Sequence, residues 1–433
     1  MSSTVPARSD PPWLDRVRDR LTARLESGSD RPLALALSGG GDSLALLAVA
    51  CGWARDNGRR VLALTVDHGL VPDSARWTAF ARDAARRAGA DWQGLSWVGR
   101  KPDTGLPAAA RAARHRLIAE AARQAGARVI LFAHTAGDVA EGERMRAEGS
   151  SLGRLRDWSP SPAWPEGRGL MLLRPMLDVA RAELRDWLSQ KGADWIDDPA
   201  NTDPKYARSR ARASLAANAP YSSPATAGAS GPLPAPVAPG TLAFDRGIST
   251  RALAAVLVCA GGGDRPPRGD RLERIVQRLR SGEAFTASLS GARVIAGDQV
   301  LVTREAGEFT RRPRPPLPLP PGIETVWDGR WAITAVEPGW NVVAAAGHMA
   351  TLSRDDRARL NALPAPVRGA WPVLIRNDPG APVLAGSVAT ARSLVEERLA
   401  LALDRMTHET ELEPRAHGAT PRNHLFSGAD IDE

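Results

Sequence analysis

Apolar and polar positions alternate in two rhythms along the first half of the chain. "RPLALALS" (31–38) is a continuous apolar run of strand length, and helix-like spacing covers 42–57 after three glycines. "RVLALTV" (60–66) predicts a second strand, followed by a helix from about Ser74 to Ala88. A helix across 106–125 leads into a further strand in "ARVILFA" (127–133). "RAELRDWLSQKG" (181–192) predicts one more helix, closed by Gly192, and residues 13–27 a leading amphipathic one. Strands alternating with helices predict an α/β fold, a doubly wound parallel sheet with helices on both faces.

The rhythm stops near 215. "AANAPYSSPATAGASGPLPAPVAPG" (216–240) reads as a linker or mobile loop, and "RRPRPPLPLPPG" (311–322) as a second proline-rich break. Between them lies a mixed segment with helical "RLERIVQRLRSG", and after the second break "VWDGRWAI" reads as a strand. The predicted organisation is an α/β domain over 1–215, a linker over 216–240 and a mixed C-terminal region over 241–433. No repeat of fixed period is present.

The chemistry begins where the first strand breaks. In "LALALSGGGDSLALLAVA" (33–50) a buried strand ends in Ser38, Gly39, Gly40 and Gly41 and a helix resumes at Asp42 and Ser43. Glycines let the backbone approach a ligand closely, and the helix start aims free N–H groups and its positive dipole end at it. That arrangement suits phosphate, with hydroxyls from Ser38 and Ser43 as further donors. Asp42 can cap the helix or help to hold a magnesium ion. Two other glycine loops are excluded. No lysine follows the glycines, as a Walker A loop requires, and Leu44 stands where a dinucleotide loop needs its third glycine.

Charge and cysteine content narrow the setting. The chain carries 57 Lys and Arg against 49 Asp and Glu, a net +8 that favours an anionic partner, nucleic acid first. Lysine occurs only at 101, 191 and 205, so the charge is arginine, which suits phosphate and base contacts but also follows from a GC-rich genome. Cys51 and Cys259 are too few for a disulfide scaffold or a cysteine-based metal site. The N-terminus has no apolar core of signal-peptide length, and the longest apolar stretch, about 252–260, is too short to cross a bilayer. A cytoplasmic protein without a membrane partner is expected.

"SGGGDS" resembles the pyrophosphate-binding loop of the N-type ATP pyrophosphatases, the PP-loop superfamily, whose members split ATP between the α and β phosphates and adenylate a substrate oxygen. The absence of a CxxC argues against its tRNA thiolases. Further segments are similar to the tRNA(Ile)-lysidine synthetases: "TVDHGL" (65–70), "AAARAARHRL" (108–117), "AHTAGDVAEGERMR" (133–146) and the stretch 172–212. In the third, His134, Asp138 and Glu141 match the family's His-x-x-Asp-Asp-Gln-x-Glu-Thr, whereas Gly137, Val139 and Gly142 depart from it. On a helix His134, Asp138 and Glu141 would share one face. In the fourth, Arg174, Asp198, Pro199, Asn201, Asp203, Arg208, Arg210 and Arg212 match, with Ser209 in place of an Asn. The resemblance covers roughly 30–215.

What the resemblance implies is specific. Ser38, Gly39, Gly40, Gly41, Asp42, Ser43, Asp67, His68 and His134 would bind ATP. Asp42, Asp138 and Glu141 would serve catalysis, the last two holding the ammonium groups of free L-lysine, binding magnesium or acting as base. Arg111, Arg114, Arg174, Arg208, Arg210 and Arg212 would meet phosphate or tRNA. The substrate would be an isoleucine tRNA with a CAU anticodon, the cofactors ATP and magnesium, and the C-terminal region a tRNA-binding one. Taken singly, His68 reads first as a surface or capping residue, and Trp158 and Trp164 either stack on a base or pack. Two rivals stay open at this point: another PP-loop ligase acting on a small molecule, and a non-catalytic nucleotide- and RNA-binding relic, motivated by Gly137 and Val139.

Overall fold

Leu33–Ala36 (β1) lies at the centre of a six-stranded sheet, which is why all four of its residues are apolar. The computed structural model describes residues 10–149, 153–197, 234–267, 269–376 and 380–412. These form two units, one of residues 10–197 with 406–412, the other of 234–405.

In the first unit the further strands are Val61–Asp67 (β2), Asp91–Ser96 (β3), Val129–Leu131 (β4), Trp158–Pro160 (β5) and Met171–Leu173 (β6). Their order is β3-β2-β1-β4-β6-β5, parallel throughout except for the antiparallel edge pair β5–β6. β1 pairs with β2 from Leu33↔Val61 and with β4 from Ala34↔Ile130. Chain order therefore reverses beside β1. In such sheets the crevice at the carboxyl ends of the two strands flanking the reversal, here β1 and β4, is where ligands bind.

Among the described residues this unit has the helices Pro12–Thr22 (α1), Gly41–Asp56 (α2), Ser74–Arg87 (α3), Leu106–Gln124 (α4), Ala136–Ala147 (α5) and Arg181–Gln190 (α6), of which α2, α3 and α4 pack on the sheet. α2 is apolar nearly all round and buries Leu44, Leu46, Leu47, Val49 and Trp53. Around it Trp13 of α1 meets Trp187 of α6 edge-on at 5.4 Å, and Trp53 Nε1 donates to Thr22 Oγ1 at 2.9 Å. Elsewhere Ile118, Ala119 and Ala122 of α4 pack with Leu64, Ile130 and Leu172, and each such large apolar side chain contributes about 1.5–3 kcal/mol. Cys51 is buried within α2. The chain returns to this unit at 406–412. There both Glu409 oxygens accept from Arg59, at 2.9 and 3.0 Å, and both side chains are fully buried.

The second unit contains an antiparallel sheet of Ala235–Ala238 (β7), Thr241–Phe244 (β8), Phe285–Leu289 (β9), Ala292–Ala296 (β10) and Val300–Arg304 (β11), in the order β7-β8-β11-β10-β9. Helices Thr250–Gly261 (α7) and Asp270–Arg280 (α8) pack with it, burying Leu253, Val256, Ile275 and Leu279. The apolar stretch 252–260 is therefore a core helix with Cys259 inside it. A second core gathers around Trp327, Trp331 and Trp371.

Of the stretch read as linker, 216–233 lie outside the described residues and its end enters β7, whose Pro236 is tolerated because β7 is an edge strand, with a register shift beside it. One expectation needs correction. "VWDGRWAI" is not one strand but a hairpin of Thr325–Trp327 and Trp331–Ala335. Asp328 and Gly329 both have positive φ, 51° and 65°, and Arg330 N–H donates to Trp327 O, as a type I′ turn requires. Leu317–Pro318 within the second proline-rich break forms a short strand against Trp340–Ala344. Among the described residues no helix is long and apolar enough to cross a membrane.

Candidate active site

The glycine loop lies where β1 ends at the reversal of strand order. Gly39 has a φ of +84°, a backbone angle that favours glycine, and an added Cβ would stand 2.7 Å from Ile196 Cδ1, which would have to move aside. Ile196 N–H donates to Gly39 O at 3.0 Å. Gly40 is the residue before α2, and Gly41 is its first helical residue, facing the Trp195 ring. Ser43 Oγ donates to Gly40 O at 2.9 Å, accepts from Ser38 N–H at 3.3 Å and lies 3.1 Å from Ser38 Oγ. The two hydroxyls thus clamp the turn.

Asp42 projects from the first turn of α2 and accepts from Arg181 Nε at 2.8 Å. The same guanidinium stands 3.6 Å from Asp138 Oδ2 and 3.8 Å from Glu141 Oε1. Three carboxylates and one arginine, drawn from the N-terminal turns of α2, α5 and α6, form one cluster. Burial pushes the Asp42 carboxyl above its ordinary value, against the pull of Arg181. Burial also lowers Arg181, but Asp42, Asp138 and Glu141 outweigh it and hold the guanidinium above its ordinary range. Asp138 is fixed from its own side, because its Oδ2 accepts from Thr135 N–H at 2.8 Å and Thr135 Oγ1 at 3.1 Å at the start of α5.

α5 begins at Ala136, so His134 precedes the helix and does not share its face by helical spacing as expected. Proximity is kept by another route: His134 ends the segment after β4, stacked on Phe132 at 5.9 Å, with His115 stacked on the same ring at 5.1 Å. Both imidazoles are buried and held neutral. Burial, with Arg111 and Arg114 nearby, pulls His115 down to about 2. Burial also brings His134 to about 3, despite the opposing pull of Asp138. Among the described residues His134 Nδ1 has no hydrogen-bond partner. At the end of β2, Asp67 accepts from Gly69 N–H at 2.7 Å, and His68 is half-buried against Trp97.

Arg111 and Arg114 lie half-buried on α4. Arg174 is buried, and its Nη1 donates to Arg156 O and Ser159 Oγ at 2.8 and 3.0 Å, bracing the chain entering β5. Trp158 is buried, its Nε1 donating to Met406 O at 2.7 Å, so it packs. Asp198, Pro199, Asn201, Asp203, Arg208, Arg210 and Arg212 lie outside the described residues.

Comparison with known proteins bears on this geometry. A PP-loop domain family matches residues 14–219. A tRNA(Ile)-lysidine synthase of Caulobacter vibrioides is 50% identical over 408 residues, which span 92% of this chain and 99% of that protein. The chain belongs to the tRNA(Ile)-lysidine synthase family. Proteins of the same name from Hyphomonas neptunium (32% identical, 73% of this chain and 90% of that one) and a Bradyrhizobium species (41%, 54% and 61%) are also similar. As a member of this family the chain is an ATP-dependent ligase of the PP-loop class.

Family membership makes the departures in the α5 segment informative. At Gly137, where the resemblance leads one to expect a carboxylate, an added Cβ would lie 3.6 Å from Arg181 Nη1. The residue that sequence reasoning missed is Arg181 itself. It was visible only as the first charged position of an amphipathic helix, and nothing local links it to Asp42, 139 positions away. Magnesium commonly takes one or two carboxylates plus substrate phosphates, and Asp42, beside the loop, meets that need. Among the described residues no cluster of three or more His, Cys, Asp or Glu is arranged to hold a metal on its own.

Proposed function

We propose that the chain joins free L-lysine to C2 of the wobble cytidine of a CAU-anticodon isoleucine tRNA at the expense of ATP. The observation that carries this reading is the joining of the phosphate loop to two further carboxylates through Asp42, Arg181, Asp138 and Glu141, in a chain half identical to a lysidine synthase along nearly its whole length. In the first step the C2 oxygen of the cytidine attacks the α-phosphorus, the bond to the β-phosphate oxygen breaks and pyrophosphate leaves. The Ser38–Ser43 loop and the α2 N-terminus would stabilise the charge growing on that leaving group. In the second step the deprotonated ε-amine of lysine attacks C2 and AMP leaves with the former C2 oxygen. Asp138 and Glu141 would hold lysine's ammonium groups, and orientation at the crevice supplies much of the rate. A carboxylate of this pair can also accept the ε-ammonium proton.

His134 and Asp67 flank the crevice as candidates for the nucleoside part of ATP, and His68 stands next to them. Asp42 would hold magnesium, which when bound neutralises phosphate charge. Arg111 and Arg114 remain candidates for phosphate contacts, as do Arg208, Arg210 and Arg212, and the region from 241 onward for the body of the tRNA. The reaction belongs in the cytoplasm, where ATP, lysine and tRNA meet.

Omission assays test the order of events. Pyrophosphate release should need ATP and the tRNA but not lysine, whereas AMP release should need all three. Pyrophosphate released from ATP without RNA would instead favour a small-molecule ligase, and no ATP cleavage under any combination a binding-only protein.

A further inference from the structure

The Arg181 side chain is three-quarters buried, yet it is only partly satisfied. Its Nε donates to Asp42 at 2.8 Å, but Nη1 and Nη2 stand 3.8 and 3.6 Å from Glu141 and Asp138, beyond hydrogen-bond reach. Among the described residues neither terminal nitrogen donates a hydrogen bond. Gly137 leaves the space beside Nη1 open, and even an added Cβ would stand 3.6 Å away, at ordinary van der Waals distance. A planar fork with donors to spare recognises an oxyanion. Its immediate neighbours are two carboxylates within 4 Å, which recognise ammonium. A cation and anions side by side match the head of a free α-amino acid, where carboxylate and ammonium share one carbon.

We propose that Arg181 receives the α-carboxylate of the incoming lysine through its terminal nitrogens, while Asp138 and Glu141 take the adjacent α-ammonium. This assignment rests on the lysine-ligating function above and gives each charge of the substrate's head group a partner. It narrows the role of Asp138 and Glu141 given above to the α-ammonium, so that the ε-amine is the end free to attack and passes its proton to another acceptor. A phosphate oxygen of ATP is the other small-molecule oxyanion in the reaction, and the test separates the two.

The measurement is steady-state lysine incorporation into the tRNA by wild type, Arg181→Met and Arg181→Lys, with 1,5-diaminopentane as a competitor that has both amines but no carboxylate. In Arg181→Met the KM for lysine should rise about 10- to 100-fold, the range for losing a charge-assisted hydrogen-bonded pair. The inhibition constant of the diamine and the KM for ATP should each stay within about threefold, since neither loses a partner. Arg181→Lys keeps the charge without the fork, and should show an intermediate KM for lysine with the diamine again unaffected. Equal weakening of lysine and diamine would overturn the assignment and leave Arg181 as a brace for the carboxylates. A rise in the KM for ATP alone would overturn it in favour of phosphate. A wild type that incorporates no lysine while a known family member does so in parallel would remove the functional reading itself, and this assignment with it.

Discussion

At the scale of single residues, Gly39 in the loop and His115 on α4 each make a sharp prediction. Gly39→Ala puts a side chain at a left-handed φ and drives its Cβ to 2.7 Å from Ile196. It should cost about 1–2 kcal/mol in stability and, by displacing the loop, about tenfold or more in kcat. Chemical denaturation read beside pyrophosphate release checks both. His115 is held neutral at about 2, chiefly by burial, with Arg111 and Arg114 adding to it. Its unfolded value is about 6.5. Between those values the unfolded chain binds a proton that the folded one refuses, so this stability is complete above about pH 6.5 and is lost as the pH falls. His115→Phe keeps the stack on Phe132 and removes the titration. Its urea unfolding free energy should fall less between pH 7 and 5, by up to about 1.4 kcal/mol per pH unit, and an unchanged pH slope would contradict the burial argument. The strand, glycine turn and helix of the loop were legible in the sequence because they occupy adjacent positions. Arg181 was not, because its partners come from two other helices.

At the scale of elements, legibility followed burial. β1, β2 and β4 were readable because a central parallel strand must be apolar throughout. β3 and β5 sit at the two edges of the sheet. β3, "DWQGLS", has no fully buried residue and thus no periodic signal. β7 hid among prolines for the same edge-strand reason. The hairpin at 325–335 was misread because its Asp-Gly turn interrupts the apolar pattern for only three positions. No periodicity announced that 406–412 would return to the first unit. Its anchor, Glu409, is buried with Arg59 at 2.9 Å and also accepts from Glu26 N–H at 3.0 Å. Glu409→Ala leaves a buried guanidinium without its carboxylate and should cost about 3–5 kcal/mol. Replacing both partners by apolar residues, Arg59→Met with Glu409→Leu, should recover most of that loss. Thermal and urea unfolding of the single and double variants decide whether the pair or merely the packing holds the segment.

For the molecule as a whole, a net charge of +8 pointed to an anionic partner without saying which. The loop narrowed this to ATP cleavage between the α and β phosphates, and the proposed role of the α5 carboxylates is to receive an amine. Fold and reaction type were thus readable from residues 30–215, whereas the region beyond 241 offered composition but no motif. The central claim, that one crevice activates a tRNA base with ATP and delivers lysine to it, is tested most directly by one experiment. Purified protein is incubated with ATP, magnesium, radiolabelled lysine and CAU-anticodon isoleucine tRNA, and label is mapped in the precipitated RNA. The account predicts alkali-stable label at the wobble position, abolished by Asp42→Ala. Label that is absent, or that survives Asp42→Ala, while a known family member performs normally under the same conditions, would contradict it.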